Sequence, residues 1–288
     1  MFLREGDLGE EIETDAVLNS IILGDCRSIM ERFPGGSFDM VFLDPPYYQR
    51  MGVSHLERWN SHSDASRPAD SWDSFNSIDD YDRFIREVIS LSRRLLKKKG
   101  TLWVISTYHS IYRIGKTLQD MDFWILNDVI WVKSNPMPNW KGTRFTNSTE
   151  TLIWALKDRH SEHTFREDRA REFGVGKIGS NIWVLPICMG KERVKDPSGN
   201  SLHSAQKPLE LLRRIILTST EMGDLILDPM AGLGTTGYAA RRYKRNFVMM
   251  ERDPLYAEAA LKRMEERKNP KRGDNNPYEE LEDLDLRS

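Results

Sequence analysis

Short apolar runs alternate along this chain with longer segments that are apolar at every third or fourth position. Strand-like runs fall at residues 21–23, 40–43, 101–105, 128–132, 152–156, 225–227 and 246–250. They are almost continuously hydrophobic, as expected of strands covered on both faces. Residues 81–97 carry Phe84, Ile85, Val88, Ile89, Leu91 and Leu95 at helical spacing, and a basic last turn followed by Gly100 predicts the helix stop there. Further helices are predicted near residues 110–121, over 208–220 with Pro208 in the first turn, and from 237 onward. This alternation predicts an α/β fold, a mostly parallel sheet with helices on both faces. Two regions break it. Residues 48–76 are polar, with scattered aromatics (Tyr48, Trp59, Trp72, Phe75), and a loop of that length is usually functional or disordered. Residues 134–203, apart from the strand at 152–156, mix Lys, Arg, Asn, Gly and aromatics and read as an inserted region.

The chemistry concentrates where predicted strands end. The run from Phe38 to Leu43 meets Asp44-Pro45-Pro46-Tyr47. Neither proline can donate to a ladder, so the strand must stop there, with Asp44 and Tyr47 held at the carboxyl edge of the sheet where open α/β sheets bind ligands. A carboxylate, rigid carbonyls and an aromatic ring suit a planar base bearing an amino group, although a plain proline turn with a rim tyrosine would read the same way. Downstream, the strand ending at Asp228 runs into Pro229-Met230-Ala231-Gly232-Leu233-Gly234-Thr235-Thr236 and a helix. Glycines in such a turn permit close ligand approach at a helix N-terminus. The next strand ends at Glu251, 23 residues past Asp228, where an acid is placed to accept from ribose hydroxyls.

Taken together, these motifs resemble the S-adenosylmethionine-dependent amino-methyltransferases of DNA. Asp-Pro-Pro-Tyr ahead of the Gly-rich loop is the order of their circularly permuted β group. The runs at residues 133–145 and 150–155, with Gly24-Asp25-Cys26, residues 123–128 and residues 203–208, are similar to the CcrM and HinfI adenine methyltransferases, so the likeness spans residues 18–267. The resemblance implies a Rossmann-like methyltransferase sheet and transfer of a methyl group to adenine N6 in double-stranded DNA after base flipping, with GANTC as a target to consider. It assigns Asp44, Pro45, Pro46 and Tyr47 to the reaction. Around the donor it places Asp228, Pro229, Gly232, Gly234, Thr235 and Thr236 at the methionine part, Glu251 at the ribose, Asp25 at the adenine, and Lys207 with Pro208 near the carboxylate; Asp44 borders the same site. No metal is called for. A homodimer and a cognate restriction endonuclease are the partners it suggests besides DNA. Met230 stands where an aromatic is commonest, Ser204-Ala205 replaces Pro-Thr before Gln206, and the chain runs only a little past Met264, without the additional C-terminal domain of CcrM-like members, which puts GANTC in doubt.

Composition changes the picture in one respect. The chain has 288 residues and a net charge of −2, unexpected for a DNA-binding protein. Residues 1–17 contribute −5 and residues 270–288 contribute −3, leaving +6 on the part between. A basic catalytic domain over 18–267, flanked by an acidic N-terminal segment (1–17) and an acidic tail (268–288) read as solvated, is compatible with phosphate contact. Trp140, Lys141, Arg144, Arg166, Arg169 and Arg193 are the candidates for DNA contacts, together with the loop at 48–76. Two distant cysteines exclude a disulfide framework and favour a reducing cytoplasm. No secretion signal or membrane-length apolar run is visible. Two further readings compete: a cytosine-N4 methyltransferase, where Ser is commoner than Asp at the position of Asp44, and a catalytically silent DNA-binding homologue.

Overall fold

The computed structural model describes residues 1–48, 75–173 and 179–266. Most of the loop at 48–76 and the tail at 268–288 lie outside them. The strands are β1 (Phe2–Arg4), β2 (Ser20–Leu23), β3 (Phe38–Leu43), β4 (Leu96–Ser106), β5 (Trp124–Lys133), β6 (Thr149–Leu156), β7 (Ile182–Leu185), β8 (Leu225–Asp228) and β9 (Asn246–Glu251). They form one sheet in the order β1-β2-β9-β8-β3-β4-β6-β5-β7. Every neighbouring pair is parallel except the two that β6 makes, with β4 and β5.

Each face of this sheet is covered, which explains the unbroken hydrophobic runs. Val41, Leu43, Leu102, Val104, Val248 and Met250 point to one side, where they pack with helices α1 (Cys26–Glu31), α2 (Ile78–Leu95) and α3 (Ile111–Asp120). The alternate residues Met40, Phe42, Trp103, Ile105, Phe247 and Met249 point to the other, against α5 (Leu209–Ser219), α6 (Thr235–Arg242) and α7 (Pro254–Glu266). Residues one apart on a strand thus serve two cores, the two-fold period of the pleat. On the second face Trp103 and Trp154 stack at 5.2 Å between centroids, and the Trp103 indole N–H donates to Ser219 at 3.0 Å. Aromatic pairs of this kind contribute about 0.5–1.5 kcal/mol beyond their buried area.

Two expectations need correction and a third is refined. The second helix does not run to a stop at Gly100: it ends at Leu95, and Leu96 already opens β4. Gly100 lies inside the strand, where a Cβ would sit 3.0 Å from the Phe38 carbonyl. Close strand approach, not helix termination, is the reason for glycine there. The inserted region at 134–203 is built into the sheet, because besides the expected strand β6 it supplies β7 and a short helix α4 (Glu167–Phe173) packed on α5. The acidic segment 1–17 is not merely solvated. It begins with edge strand β1, and Glu5 accepts from the Asp25 N–H (3.1 Å) and the Ser28 hydroxyl (2.6 Å) while pairing with Arg32 (3.0 Å).

Candidate active site

Because β5 is parallel to β3 and β4, the carboxyl ends of β2, β3, β4, β5, β8 and β9 all open on one edge, and antiparallel β6 begins there. A cavity of about 370 Å³ lies at this edge, within the size range of small-ligand sites. Its walls include Asp25, Asp44, Pro45, Pro46, Tyr47, Lys207, Asp228, Pro229, Gly232, Thr235, Thr236 and Glu251. Residues from five separate stretches of sequence thus meet in one place. Gly234 shapes the loop from outside the wall, and Pro208 caps α5 immediately after Lys207.

The proline motif is held from α2. The Tyr81 hydroxyl donates to the Pro46 carbonyl at 2.9 Å, fixing the chain as it leaves β3. Asp44 then pairs with the Lys207 ammonium at 2.9 Å through one oxygen and accepts from the Tyr47 hydroxyl at 2.9 Å through the other. Burial raises the Asp44 carboxyl above its ordinary range, and Lys207 only partly offsets that. Burial pulls Lys207 down, but Asp44 and Glu150 more than restore it, so it stays protonated. Tyr47 is 3% exposed, and Lys207 Nζ lies 5.0 Å from its ring centroid. The aromatic platform implied by the motif is here a clamped ring with an anchored hydroxyl.

On the opposite wall, the Gly-rich loop turns through two left-handed glycines, Gly232 at φ +52° and Gly234 at φ +71°. A Cβ on Gly234 would stand 2.9 Å from that of Ala260 on α7. The turn lets the Gly232 N–H reach Glu251 at 2.8 Å, while the Asp253 N–H holds the other Glu251 oxygen at 2.8 Å. Each oxygen retains a lone pair for a further donor. Asp228 accepts from the Met230 N–H at 3.1 Å and from the Thr236 hydroxyl, and burial pushes its carboxyl up to about 7. Glu251 is likewise raised by burial. Thr235 does not cap its helix; it lies among Lys207 and Arg263, accepting from the latter at 3.0 Å. Asp25 caps α1 through the Arg27 N–H, and the hydrogen bond from the Arg27 guanidinium holds its carboxyl below the usual range. Burial drives the adjoining Cys26 thiol to about 12, so it is not a nucleophile at neutral pH.

Asp44, paired with Lys207, shares the cavity wall with Asp228 and Glu251, so acid is in excess of base. A buried acid such as Asp228, whose partners are a backbone N–H and a hydroxyl, is stabilised by a ligand bringing positive charge. A cationic sulfonium compound with ribose hydroxyls and an amino group matches that set of acceptors, so the residues fit S-adenosylmethionine.

Two charged residues of the site escaped the sequence reading. Glu150, 8% exposed at the start of β6, accepts from the Tyr47 hydroxyl at 3.1 Å and pairs with Lys133, the last residue of β5, at 2.8 Å. A charged residue on either side of the β5–β6 loop, each next to an apolar run, was the available signal. The basic candidates divide. Trp140, Lys141 and Arg144 lie on the β5–β6 loop, which leaves the carboxyl end of β5, with Trp140 86% exposed. The Arg144 carbonyl accepts from Asn139 at 2.7 Å, and its guanidinium donates to the Tyr108 hydroxyl at 2.9 Å. Arg166 sits at the far end of α5, its N–H on the Thr218 carbonyl at 2.8 Å and its guanidinium paired with Asp168 and Glu221. Arg169 is paired with Asp168 and Glu172 on α4. Arg193 staples the loop before Lys207 by donating to the carbonyls of Cys188, His203 and Ser204. The structure does not bring these last three into the site edge as a group.

Comparison with known proteins agrees with this geometry. The family model described as "DNA methylase", of N6 and N4 methyltransferases, matches residues 38–262. The Type II methyltransferase M.HinfI of Haemophilus influenzae is 42% identical over 254 residues, 88% of this chain and 70% of that protein. Type II methyltransferase M2.DpnII of Streptococcus pneumoniae is 37% identical over 251 residues, 86% of this chain and 90% of its own. Among solved structures, the complex of M1.HpyAVI with S-adenosylmethionine superposes with a TM-score of 0.60 at 24% identity, covering 85% of this chain and 98% of that one. The cytosine-N4-specific PvuII DNA methyltransferase gives a TM-score of 0.65 at 20% identity, covering 93% and 91%. With a family match across most of its length and relatives well above a third identical, the chain belongs to the DNA methylase family of N6 and N4 amino-methyltransferases, enzymes that draw their methyl group from S-adenosylmethionine.

Proposed function

We propose that this protein methylates adenine N6 at specific sites in double-stranded DNA. The observation that carries the proposal is Asp44, a half-buried acid fixed at a strand end in the wall of a cavity that the acceptors Asp228 and Glu251 also line. Asp rather than Ser at this position favours adenine over cytosine N4, and the resemblance to the HinfI adenine methyltransferases supports the same choice.

Adenine N6 is a poor nucleophile while its lone pair is delocalised into the ring, and it is buried in the duplex. Extruding the base costs roughly a few kcal/mol. Asp44 and the Pro45 carbonyl accept hydrogen bonds from the amino group, drawing the nitrogen toward tetrahedral geometry, while Tyr47 flanks the ring. Alignment and fixed charge do most of the work in such a reaction. S-adenosylmethionine, when bound, supplies an electrophilic methyl group. Glu251 receives the ribose hydroxyls and Asp25 the adenine; Asp228, Pro229, Gly232, Gly234, Thr235 and Thr236 enclose the methionine part, with Lys207 and Pro208 toward the carboxylate.

Trp140, Lys141 and Arg144, on an exposed loop that follows the carboxyl end of β5, would meet the duplex, Trp140 through base stacking and the two cations through phosphate or base edges. The resemblance to the HinfI group makes GANTC the first sequence to try. The Type II designation of both relatives supports pairing with a cognate restriction endonuclease, and a homodimer and a cytoplasmic location complete the proposal; no helix of the described residues is long and apolar enough to cross a membrane. The test is to incubate the protein with duplex DNA and methyl-labelled donor, digest to nucleosides and identify the product. N6-methyladenine is expected. N4-methylcytosine would establish the cytosine reading, and absence of label from a donor-binding protein would establish the silent one.

A further inference from the structure

Tyr47 carries one hydroxyl proton, and two carboxylates, half-buried Asp44 and buried Glu150, compete for it. Its Oη lies 2.9 Å from Asp44 Oδ1 and 3.1 Å from Glu150 Oε2. Each acid is held on its other oxygen by its own lysine, Lys207 at 2.9 Å for Asp44 and Lys133 at 2.8 Å for Glu150. The result is an unbroken row, Lys207, Asp44, Tyr47, Glu150, Lys133, that starts in the cavity and leads away from it along the first residues of β6. A phenol hydroxyl has a single proton to donate. Here one donor serves two acceptors, so the row accommodates one additional proton, with Asp44 donating to Tyr47 Oη and Tyr47 donating to Glu150.

We infer that Glu150, acting through the Tyr47 hydroxyl, is a positioning residue that takes away the proton released by the methylated amino group. The inference rests on the reading of Asp44 as acceptor of that amino group. As the amino nitrogen uses its lone pair to form the new N–C bond, the pair of the broken C–S bond stays with sulfur, and the nitrogen holds one hydrogen too many. That proton passes to Asp44. Asp44 then delivers a proton to Tyr47 Oη as Tyr47 releases its own to Glu150, and the N–H bonding pair remains on nitrogen. One proton moves, no electrons change hands, and Asp44 is again ionised. Beside Lys133, whose side chain is 14% exposed, Glu150 returns its proton to water. The charged groups facing the relay are Lys133 on β5, Lys207 ahead of α5 and Asp228 at the end of β8.

The test is single-turnover methyl transfer from pH 6 to 9 by the full-length protein, Y47F, E150Q and the double variant, with donor affinity and melting temperature measured alongside. Y47F and E150Q should each slow the step about a hundredfold, at the low end of what positioned proton transfer contributes. Donor affinity should stay within about twofold, and the double variant should be no slower than the slower single one, as for residues acting as a unit. The pH dependence of the step should be shallower in both single variants, which lose the exit for the released proton but keep Asp44. Rates equal to the unaltered protein at every pH, or losses that multiply in the double variant, would overturn the relay. Should E150Q melt early or lose donor, Y47F, which deletes one oxygen, decides the matter by the same profile. An unaltered protein that makes no methylated adenine refutes the proposed function; an active one with unaffected variants refutes the relay alone.

Discussion

Replacing Lys207 with methionine isolates the ion pair on which the geometry of Asp44 depends. Methionine keeps most of the stem volume and removes the ammonium 2.9 Å from Asp44, together with the charge lying over the Tyr47 ring. The Lys207 side chain is 6% exposed, so water cannot replace it. Breaking a buried pair from one side costs on the order of 3–5 kcal/mol, because a charge is left without a partner. Asp44 escapes part of that cost by taking up a proton, which fixes the pH dependence. Its folded pKa already stands above the unfolded value and rises further in K207M. The folded state then binds the extra proton, so stability falls as pH rises from the unfolded pKa near ~3.9 through the folded one, by at most about 1.4 kcal/mol per pH unit. Urea titrations at pH 5.5 and pH 8 should show K207M destabilised at both and more so at pH 8. D44N/K207M, with neither charge, should recover a coupling energy of about 2–3 kcal/mol. A loss below about 1 kcal/mol, equal losses at the two pH values, or simple additivity would refute the reasoning.

Other outcomes follow from the same coordinates. Asp228, held near pH 7 by burial, contributes stability that is lost as pH rises from about 4 to 7; D228N should flatten that slope in denaturation curves. A cationic ligand lowers the pKa of that acid, so donor binding should release protons and tighten as pH rises from 6 to 8; calorimetry in two buffers of different ionisation heat should give different heats, and equal heats would contradict it. Gly234→Ala should cost more stability than Gly232→Ala. Both lose about 1–2 kcal/mol to the left-handed backbone, but only at Gly234 does the new Cβ meet a neighbour inside 3 Å, whereas at Gly232 the nearest atom is His203 at 3.6 Å. Trp140→Ala should leave the melting temperature unchanged and weaken duplex binding by about 1–3 kcal/mol, while Arg166→Ala should lower stability without changing DNA affinity in a filter-binding or anisotropy assay.

What could be read from the chain was what depends on neighbours in sequence. Asp44 before two prolines and Gly232 and Gly234 before a helix declare their geometry locally, and the two-sided hydrophobicity of β3, β8 and β9 announces a covered parallel sheet. Long-range pairing was hidden. Glu150 looked like part of a strand flank because its partners, Tyr47 and Lys133, lie 103 and 17 residues away. Strand β1 has three residues, too few for a period to emerge, so Glu5 passed for one acid among many. The ion pairs of Arg166 and Arg169 were hidden for a related reason. A basic residue in a list reads the same whether it faces a phosphate or is already paired with Glu221 or Glu172, and only the packing of α4 on α5 separates the cases. Gly100 followed a helix with a basic end, and only the register of β4 against β3 assigns it to a strand.

The central claim is that Asp44 presents an adenine amino group to a methyl donor. Expressing the protein in a host free of DNA methylation and reading modified bases across its genome tests that claim directly. The account predicts N6-methyladenine at one short sequence motif, GANTC being the first to inspect, and its disappearance in Asp44→Ala. A genome without N6-methyladenine despite folded, donor-binding protein, or a signal that survives Asp44→Ala, would contradict it.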